Sequence, residues 1–275
     1  MEIKITGNTA LELFITIKDI DKQLITHLTI HNCHKLTPYS LTDIIGNLRA
    51  LTTLDIDNCY NLTHLPESIG NLRALTTLEI KNCYNLTHLP DSIGNLSALT
   101  TFKIYECNNL TYLPDSIGQL SALTTFDMSC CNNLTHLPES IGNLSALTTL
   151  HISGCKNLTH LPDSIGNLQA LTTLEIYKCN NLTHLPESFG NLSALTILLI
   201  INCDKLTHTI LQNSICFCKN LQSISISNIN MLPPSMILLE KLNDIKVRDK
   251  YYVTTIQNIN EMQLIWYRIL QNMFI

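Results

Sequence analysis

The chain has 275 residues, of which 14% are charged, and its formal net charge is −5. Its few Lys and Arg residues form no basic cluster or stripe, which argues against a nucleic-acid-binding protein. The opening stretch MEIKITGNTALELF lacks the basic and apolar regions of a secretory signal, and no apolar run reaches the roughly 18 residues that a membrane span needs. We therefore expect a cytoplasmic monomer that contacts neither nucleic acid nor membrane.

The first segment, residues 1–24, is predicted to cap the N-terminal end of the protein. The stretch MEIKIT is followed by a Gly-Asn turn and then by LELFITI. Two apolar runs joined by a turn of this composition favour a β-hairpin. We expect this hairpin to cover the first unit of the region that follows.

Residues 25–247 form a tandem repeat whose period is 24 residues. Six strict units run from Leu51 to Ala194, and looser units on both sides bring the total to about nine or ten. One cysteine recurs at the same place in successive units. These cysteines are Cys59, Cys83, Cys107, Cys131, Cys155, Cys179 and Cys203, with Cys33 one slightly longer unit upstream. A fixed period over this length predicts one stacked array.

Each unit combines two hydrophobic periods. LTTLEIKNC alternates at Leu78 and Ile80, as expected of a short half-buried strand. The apolar residues after Cys83 recur every three or four residues, Pro90 is suited to open a short helical turn, and Gly94 is expected to let the chain turn back. A 24-residue unit is too small to bury its own apolar side, so stacking should align the strands in one parallel sheet.

The pattern LxxLxIxxCxxLxxLPxxIGxL resembles the leucine-rich repeat family. Its LPxSIGNL half is similar to the intracellular kind found in plant disease-resistance receptors and Ras-signalling scaffolds. The resemblance implies an α/β solenoid that is curved, with a parallel β-sheet on the concave face, short helical turns on the convex face and a role in protein recognition. The chain has no GxxxxGK[ST] phosphate loop. Near-identical units rich in Ile and Asn are typical of an array expanded in an AT-rich genome, such as that of a giant virus or an amoeba.

The last segment, residues 248–275, is predicted to cap the C-terminal end of the array. Its stretch 256–275 is apolar, contains the single tryptophan, Trp266, and offers Asn258 or Asn260 as a helix N-cap. We predict a capping helix. A helix that binds a partner is the alternative.

The motif HLPES brings together the residue types of a serine hydrolase. His64, Glu67 and Ser68 are close in sequence, and the trio recurs in nearly every strict unit. A catalytic triad also needs a unique pocket and an oxyanion hole, and no GxSxG elbow occurs. We expect the serine and the acid to bond free backbone N–H groups at the start of each turn.

Histidines form a second recurring set, in a column that Tyr112 interrupts. Its members are His64, His88, His136, His160, His184 and His208. A straight column offers at most two ligands to one metal ion, whereas a metal site needs about four, so we expect a solvated row and no metal. Protonation near pH 6.5 would place like charges on neighbouring units, which leaves a pH-sensing role open.

The recurring cysteines are expected to fill the core where the strand bends into the loop, near backbone amides. A reactive thiol would need exposure and a lowered pKa. Nothing in the sequence indicates either property.

Three positions in and just after each strand vary, while the surrounding residues hardly change. We predict that they point out of the concave face and bind a protein or peptide partner, with Tyr105 and Tyr177 as anchors. The predicted binding residues are Lys103, Tyr105, Glu106, Asp127, His151, Glu175, Tyr177 and Lys178. The alternative for these positions is unconstrained drift.

The sequence thus predicts a non-enzymatic protein-interaction module, an adaptor or a sensor arm, without cofactor or metal. Two other classes stay open. One is a structural or surface repeat protein without a discrete partner, and the other is a hydrolase built on the His, acid and Ser trio.

Overall fold

The computed structural model describes residues 1–15, 23–206, 214–227, 236, 238–248 and 253–256. The described strands form one sheet of 12 strands, and each strand lies beside its neighbours in sequence. All neighbouring pairs are parallel except the last. The strands are β1 (Glu2–Thr6), β2 (His27–His31), β3 (Thr53–Asp57), β4 (Thr77–Lys81), β5 (Thr101–Tyr105), β6 (Thr125–Ser129), β7 (Thr149–Ser153), β8 (Thr173–Tyr177), β9 (Ile197–Ile201), β10 (Ser223–Ile226), β11 (Asp244–Arg248) and β12 (Val253–Ile256).

Successive units stack in register, so each apolar position becomes a continuous row in the core. Leu78 of β4 pairs with Leu54 of β3 on one side and with Phe102 of β5 on the other. Leu78 and Ile80 are fully buried, as are the cysteine after each strand of the strict units and the leucines of the following loop. This confirms the predicted solenoid and the predicted inward face of the strands.

A threonine directly before each of the strands β2 to β9 ties neighbouring units together. The backbone N–H and the hydroxyl of Thr76 both donate to the carbonyl oxygen of Thr52, at 2.8 and 3.0 Å. Thr100 makes the same hydroxyl contact with Thr76 at 3.0 Å, and the pattern continues through Thr196. The invariant threonine is therefore a link between units as well as a residue suited to extended backbone.

Short 3-10 helices line the side of the array opposite the sheet. In the strict units each follows a proline, as Asp91–Asn95 follows Pro90, and begins with an acidic residue near its positive end. This confirms the predicted helical turn. The turns of the strict units are Glu67–Asn71, Asp91–Asn95, Asp115–Gln119, Glu139–Asn143, Asp163–Asn167 and Glu187–Asn191, and a shorter one spans Ile215–Phe217.

The glycine of each turn is explained by packing and not by a reversal of the chain. A Cβ atom on Gly94 would lie 2.5 Å from the carbonyl oxygen of Ser116 in the next unit and 3.0 Å from its Cβ. Gly94 lies inside its 3-10 helix, and its φ is outside the positive range. The prediction that Gly94 turns the chain back is wrong, since glycine is required by the close approach of the next turn.

The N-terminal segment forms a strand and a helix instead of a hairpin. Strand β1 pairs in parallel with β2, and helix α1 (Gly7–Ile15) follows it directly. Leu11 and Phe14 of α1 are buried in the common core. Helix α2 (Pro38–Ile45) lies between β2 and β3 and begins with a capping box. The predicted hairpin is wrong because LELFITI buries Leu11 and Phe14, three residues apart, on one face of a helix.

At the other end, β12 runs antiparallel to β11. The predicted helix lies outside the described residues, apart from Ile256, which ends β12. Whether a helix follows stays a prediction.

Candidate partner-binding face

Strands β5 to β8 carry two rows of side chains on the face of the sheet that points away from the core. We call it the open face, and it corresponds to the predicted concave face. The first row pairs Lys103, Asp127, His151 and Glu175 in register, and the second pairs Tyr105, Ser129, Ser153 and Tyr177. Glu106 and Lys178 follow directly after β5 and β8. The structure therefore brings all the predicted binding residues together on four adjacent strands.

A polar network crosses these strands with Asp127 at its centre. Its carboxylate accepts hydrogen bonds from the Tyr105 hydroxyl and, at 3.2 Å, from the Ser129 hydroxyl. His151 lies between two acids, with Nδ1 at 3.5 Å from Asp127 Oδ2 and Nε2 at 3.7 Å from Glu175 Oε2. Four neighbouring units thus share one chain of polar contacts.

The network shifts the proton affinity of its members. Burial alone would raise the pKa of Asp127, but hydrogen bonds from His151 and Tyr105 hold that pKa below its usual value. The hydrogen bond to Asp127 raises the pKa of His151 against the effect of burial, and Glu175 adds to the increase. Burial and the bond to Asp127 raise the pKa of the Tyr105 phenol. The arrangement therefore stabilises an ionised Asp127 beside a protonated His151.

A second polar cluster precedes this network on the open face. Lys81 contacts both Asp55, at 3.5 Å, and Glu79, and Glu79 Oε1 lies 3.0 Å from Lys103 Nζ. Burial would raise the pKa of Glu79, but its hydrogen bonds with Lys81 and Lys103 bring it below its usual value. Lys103 is therefore already paired within the sheet, so it is a less available contact than the sequence indicated.

The residue directly after each of the strands β2 to β9 has left-handed backbone, with φ between 52° and 62°. Asparagine occupies this position in four of the units, at Asn32, Asn58, Asn82 and Asn202. Asparagine tolerates the conformation better than most residues. After β5 to β8 the position holds Glu106, Cys130, Gly154 and Lys178. The left-handed conformation of these positions was not predicted, although an Asn directly before the repeating Cys was a readable signal.

The side chains that follow β5 and β8 contact neighbouring tyrosines. Lys178 Nζ lies 4.9 Å from the centre of the Tyr177 ring, within cation–π range. In the loop after β4, the Tyr84 hydroxyl donates to Glu106 Oε2 at 3.1 Å. Glu106 and Lys178 are both exposed, and neither forms an ion pair with a described residue. Both charges are therefore available on the open face.

Comparison with known families decides the identity of the array. A leucine-rich repeat region model matches residues 21–152, and a leucine-rich repeat model matches residues 146–168 and 170–192. The chain is a leucine-rich repeat protein. This confirms the family that the sequence pattern indicated, and repeats of this family are typical protein-interaction modules.

Several solved structures are similar to this chain at low sequence identity. The leucine-rich repeat domain of the type III effector XopL is 23% identical with a TM-score of 0.50, over 67% of this chain and 72% of that domain. A leucine-rich repeat protein of Leptospira interrogans is 22% identical with a TM-score of 0.49, over 90% of this chain and 72% of that one. Internalin C2 of Listeria monocytogenes is 17% identical with a TM-score of 0.49, over 87% and 91%. No curated protein matches the sequence.

In this leucine-rich repeat array the histidine column is a set of stacked rings. His64 and His88 stack with centroids 5.1 Å apart, His88 continues to Tyr112 at 6.4 Å, and His160 stacks on His184 at 5.9 Å. Burial lowers the pKa of His64, and its neighbour His88 lowers it further. His208 lies outside the described residues. The column is thus a surface row, as predicted, although its rings are in contact.

Threonine hydroxyls lie beside several of these histidines. The Thr87 hydroxyl donates to the Thr63 carbonyl at 3.1 Å and lies 2.9 Å from His88 Nδ1. The hydroxyl therefore joins the histidine of its own unit to the backbone of the preceding unit. The same geometry recurs at His160 and His184.

Across the described ranges, His, Cys, Asp and Glu form no group of three that could hold a metal ion.

The repeating cysteines are core residues. Cys83 and Cys179 are fully buried, and their thiols lie 4.0 and 3.8 Å from the carbonyl oxygens of Ile56 and Ile152. Burial raises the pKa of Cys83 to about 12 and that of Cys203 to about 11. The expected packing role is supported: each thiol lies beside a backbone carbonyl oxygen and also beside the backbone N–H of the cysteine one unit earlier.

The His, acid and Ser trio is not assembled as a catalytic unit. The imidazole of His64 bonds Thr63 at 3.1 Å, and the buried Ser68 hydroxyl has no hydrogen-bond partner among the described residues. Glu67 accepts a hydrogen bond from the backbone N–H of Ser92 in the next unit, at 3.3 Å. The prediction that the acid bonds a free backbone N–H at the start of a turn is confirmed, with the turn being that of the next unit. The same prediction is wrong for the serine, because the Ser68 hydroxyl bonds no described residue.

A short aromatic stack on the loops after β2 to β4 was missed by the sequence analysis. His34 stacks on Tyr60 at 4.6 Å, and Tyr60 on Tyr84 at 5.5 Å. Aromatic residues directly after the repeating cysteine were the available signal.

In the described segments, no helix is long and apolar enough to cross a membrane.

Proposed function

We propose that this leucine-rich repeat protein is a non-enzymatic interaction module whose open face, over β5 to β8, binds a protein or peptide partner. One observation carries the proposal. In four units the left-handed position holds a residue other than asparagine. These four positions directly follow the adjacent strands β5 to β8, of which the first ends at Tyr105 and the last at Tyr177. Non-glycine residues such as Glu106 and Lys178 are costly in this conformation, so their side chains are best explained by a function.

The chemistry of the face suits a protein partner. Tyrosine provides a large contact area with a polar end, and tyrosines and arginines are common binding hot spots. Tyr105 and Tyr177 are half-buried, so part of each ring is accessible. Mixed charges around the rings would set orientation and association rate more than affinity.

The polar network holds this surface in place before a partner arrives. Asp127 bonds Tyr105 and faces His151, so these side chains do not have to be ordered on binding. A surface ordered in advance loses less side-chain entropy in the complex. The separated His64 and Ser68 support a non-enzymatic role.

The test removes both predicted anchors. Tyr105→Ala with Tyr177→Ala should reduce capture of specific partners more than tenfold in a quantitative pull-down, because a truncated anchor costs about 2 kcal/mol or more. Tyr60→Ala with Tyr112→Ala is the matched control, since these exposed tyrosines lie off the open face. The control should keep every partner.

Tyr105 also bonds Asp127, so its replacement should lower the thermal midpoint slightly, and circular dichroism must show a folded variant at the assay temperature. Tyr105→Phe with Tyr177→Phe keeps the rings and should retain most of the binding. If the folded alanine variant keeps all wild-type partners, the open face is not the binding surface. A structural repeat without a discrete partner would then be the better account.

A further inference from the structure

The open face contains a slot that is two strands wide. Its floor consists of the short side chains of β6 and β7 and the residues that follow them, namely Ser129, Cys130, Ser153 and Gly154. One wall is Tyr105 with Glu106, and the other is Tyr177 with Lys178. Gly154 is buried, and a Cβ on it would lie 3.1 Å from Cys130 Sγ. The floor is therefore low because each of its positions has lost the longer side chain found on the walls.

The two walls carry opposite charges that the sheet does not neutralise. Other charges on the open face are satisfied within the sheet, as shown by Lys103 with Glu79 at 3.0 Å and by Asp127 with its hydroxyl and imidazole partners. Among the described residues, the Glu106 carboxylate bonds only the Tyr84 hydroxyl, and the Lys178 ammonium contacts only the Tyr177 ring. The slot thus has an anion on one side and a cation on the other, and no described residue of opposite charge pairs with either.

The separation of the walls selects the form of the ligand. Parallel strands lie about 4.8 Å apart, so the three steps from β5 to β8 place Glu106 and Lys178 about 14 Å apart. An extended chain rises about 3.3 Å per residue and spans this distance in about four residues. A helix rises 1.5 Å per residue and would need about nine or ten.

We propose that the slot binds an extended peptide segment that crosses the strands. The segment places a basic side chain against Glu106 and an acidic side chain, about four residues away, against Lys178. The residues between them lie over the serine floor, where the hydroxyls of Ser129 and Ser153 are within reach of a peptide backbone. This assignment rests on the proposed function and names the chemistry of its partner.

A phage-displayed library of random linear peptides, panned on the full chain, tests this assignment. Wild-type protein should enrich peptides with one basic and one acidic residue about four positions apart. Lys178→Glu makes both walls acidic and should select two basic residues at that spacing, while Glu106→Lys should select two acidic ones. This readout does not depend on the direction in which the peptide lies.

An enriched peptide, resynthesised, should bind Lys178→Glu about tenfold more weakly than wild type, because an attraction becomes a repulsion. Lys219→Glu and Glu187→Lys make the same charge changes at exposed sites off the open face and should leave the selection unchanged. Glu and Lys are both unbranched, so the left-handed backbone at position 106 or 178 is kept at similar cost.

The assignment is overturned if all variants enrich the same peptides, if the charged residues are spaced nine or ten apart as in a helix, or if no peptide is enriched. Any of these results leaves the proposed function standing, provided that the tyrosine double variant still loses its partners. Loss of the proposed function would instead appear as full partner retention by that double variant.

Discussion

The turn side of the array and the open face of its sheet come from the same repeat, yet they tolerate variation very differently. On the turn side, Gly94 has no room for a Cβ beside the next unit, and Leu96 is fully buried. On the open face, the Asp127 and His151 side chains of neighbouring units meet at their polar ends and are only partly buried. Stacking therefore fixes the sequence of one side and leaves the other free to specialise.

Within the open face, too, some units keep a constant residue and others vary. Most flanking units keep asparagine in the left-handed position, where Asn58 donates to Asn32 and Asn82 donates to Asp57 at 2.8 Å. The units of β5 to β8 give up this asparagine. Drift alone would not favour residues such as Glu106 and Lys178 in a conformation that raises their free energy. This is why we attribute the four central units to binding.

The largest expected effect separates the core row from the open face within one strand. Phe126 is fully buried and stacks on Phe102 at 5.4 Å, so Phe126→Ala should lower the free energy of unfolding by about 3–5 kcal/mol. Thr125→Ala, in the same strand and half-exposed, should cost less than about 1 kcal/mol. Urea denaturation measures both. Equal losses would mean that the two faces of the strand are not distinct.

A smaller effect is expected from adding one methyl group on the turn side. Gly94→Ala forces its Cβ against the Ser116 carbonyl and should cost about 1–3 kcal/mol. Ser97→Ala changes an exposed residue of the same unit and should stay within about 0.5 kcal/mol. Thermal melts of the two variants compare them. A neutral Gly94→Ala would show that the turns are less tightly stacked than described.

The sequence was sufficient for the parts that repetition determines. The period, the strand register at Leu78 and Ile80, the buried cysteines and the helical turn after Pro90 were all predicted and are all present. Each follows from a local hydrophobic pattern that is written many times, so that errors in a single unit do not matter. The same repetition placed the candidate binding residues on adjacent strands.

What could not be predicted depends on contacts between units or on segments without a repeat. Gly94 is required because its neighbour in the next unit, Ser116, leaves no room for a Cβ. The sequence pattern of a single unit carries no information about this contact between units. The ion pair of Lys103 with Glu79 needs side-chain geometry. Helix α1 follows β1 only once, so no repetition supports the choice between helix and strand there.

The smallest expected effect is a pH dependence with opposite signs at two histidines. The folded-state pKa of His151 is raised, so its contribution to stability is present below its unfolded pKa of about 6.5 and is lost as pH rises through the folded value. Its size should not exceed about 1 kcal/mol, because the side chain is partly exposed. The folded-state pKa of His64 is lowered, so stability there is lost as pH falls.

Urea denaturation at about pH 5 and about pH 8 tests these signs against the unfolded pKa of about 6.5. His151→Gln should destabilise more at the lower pH, and His64→Gln should be relatively more favourable at the lower pH. The same sign at both sites would contradict the distinction between the charged network of the open face and the stacked column on the surface.

The most direct test of the central claim measures stability and binding on one variant. Glu106→Asn with Lys178→Asn restores the flanking residue at both walls, and each change should stabilise the protein by about 0.5–1 kcal/mol because asparagine tolerates left-handed backbone. The account predicts a higher thermal midpoint together with the loss of captured partners. A variant that is no more stable, or that keeps every partner, would contradict the claim that the units of β5 and β8 accept a conformational cost for binding.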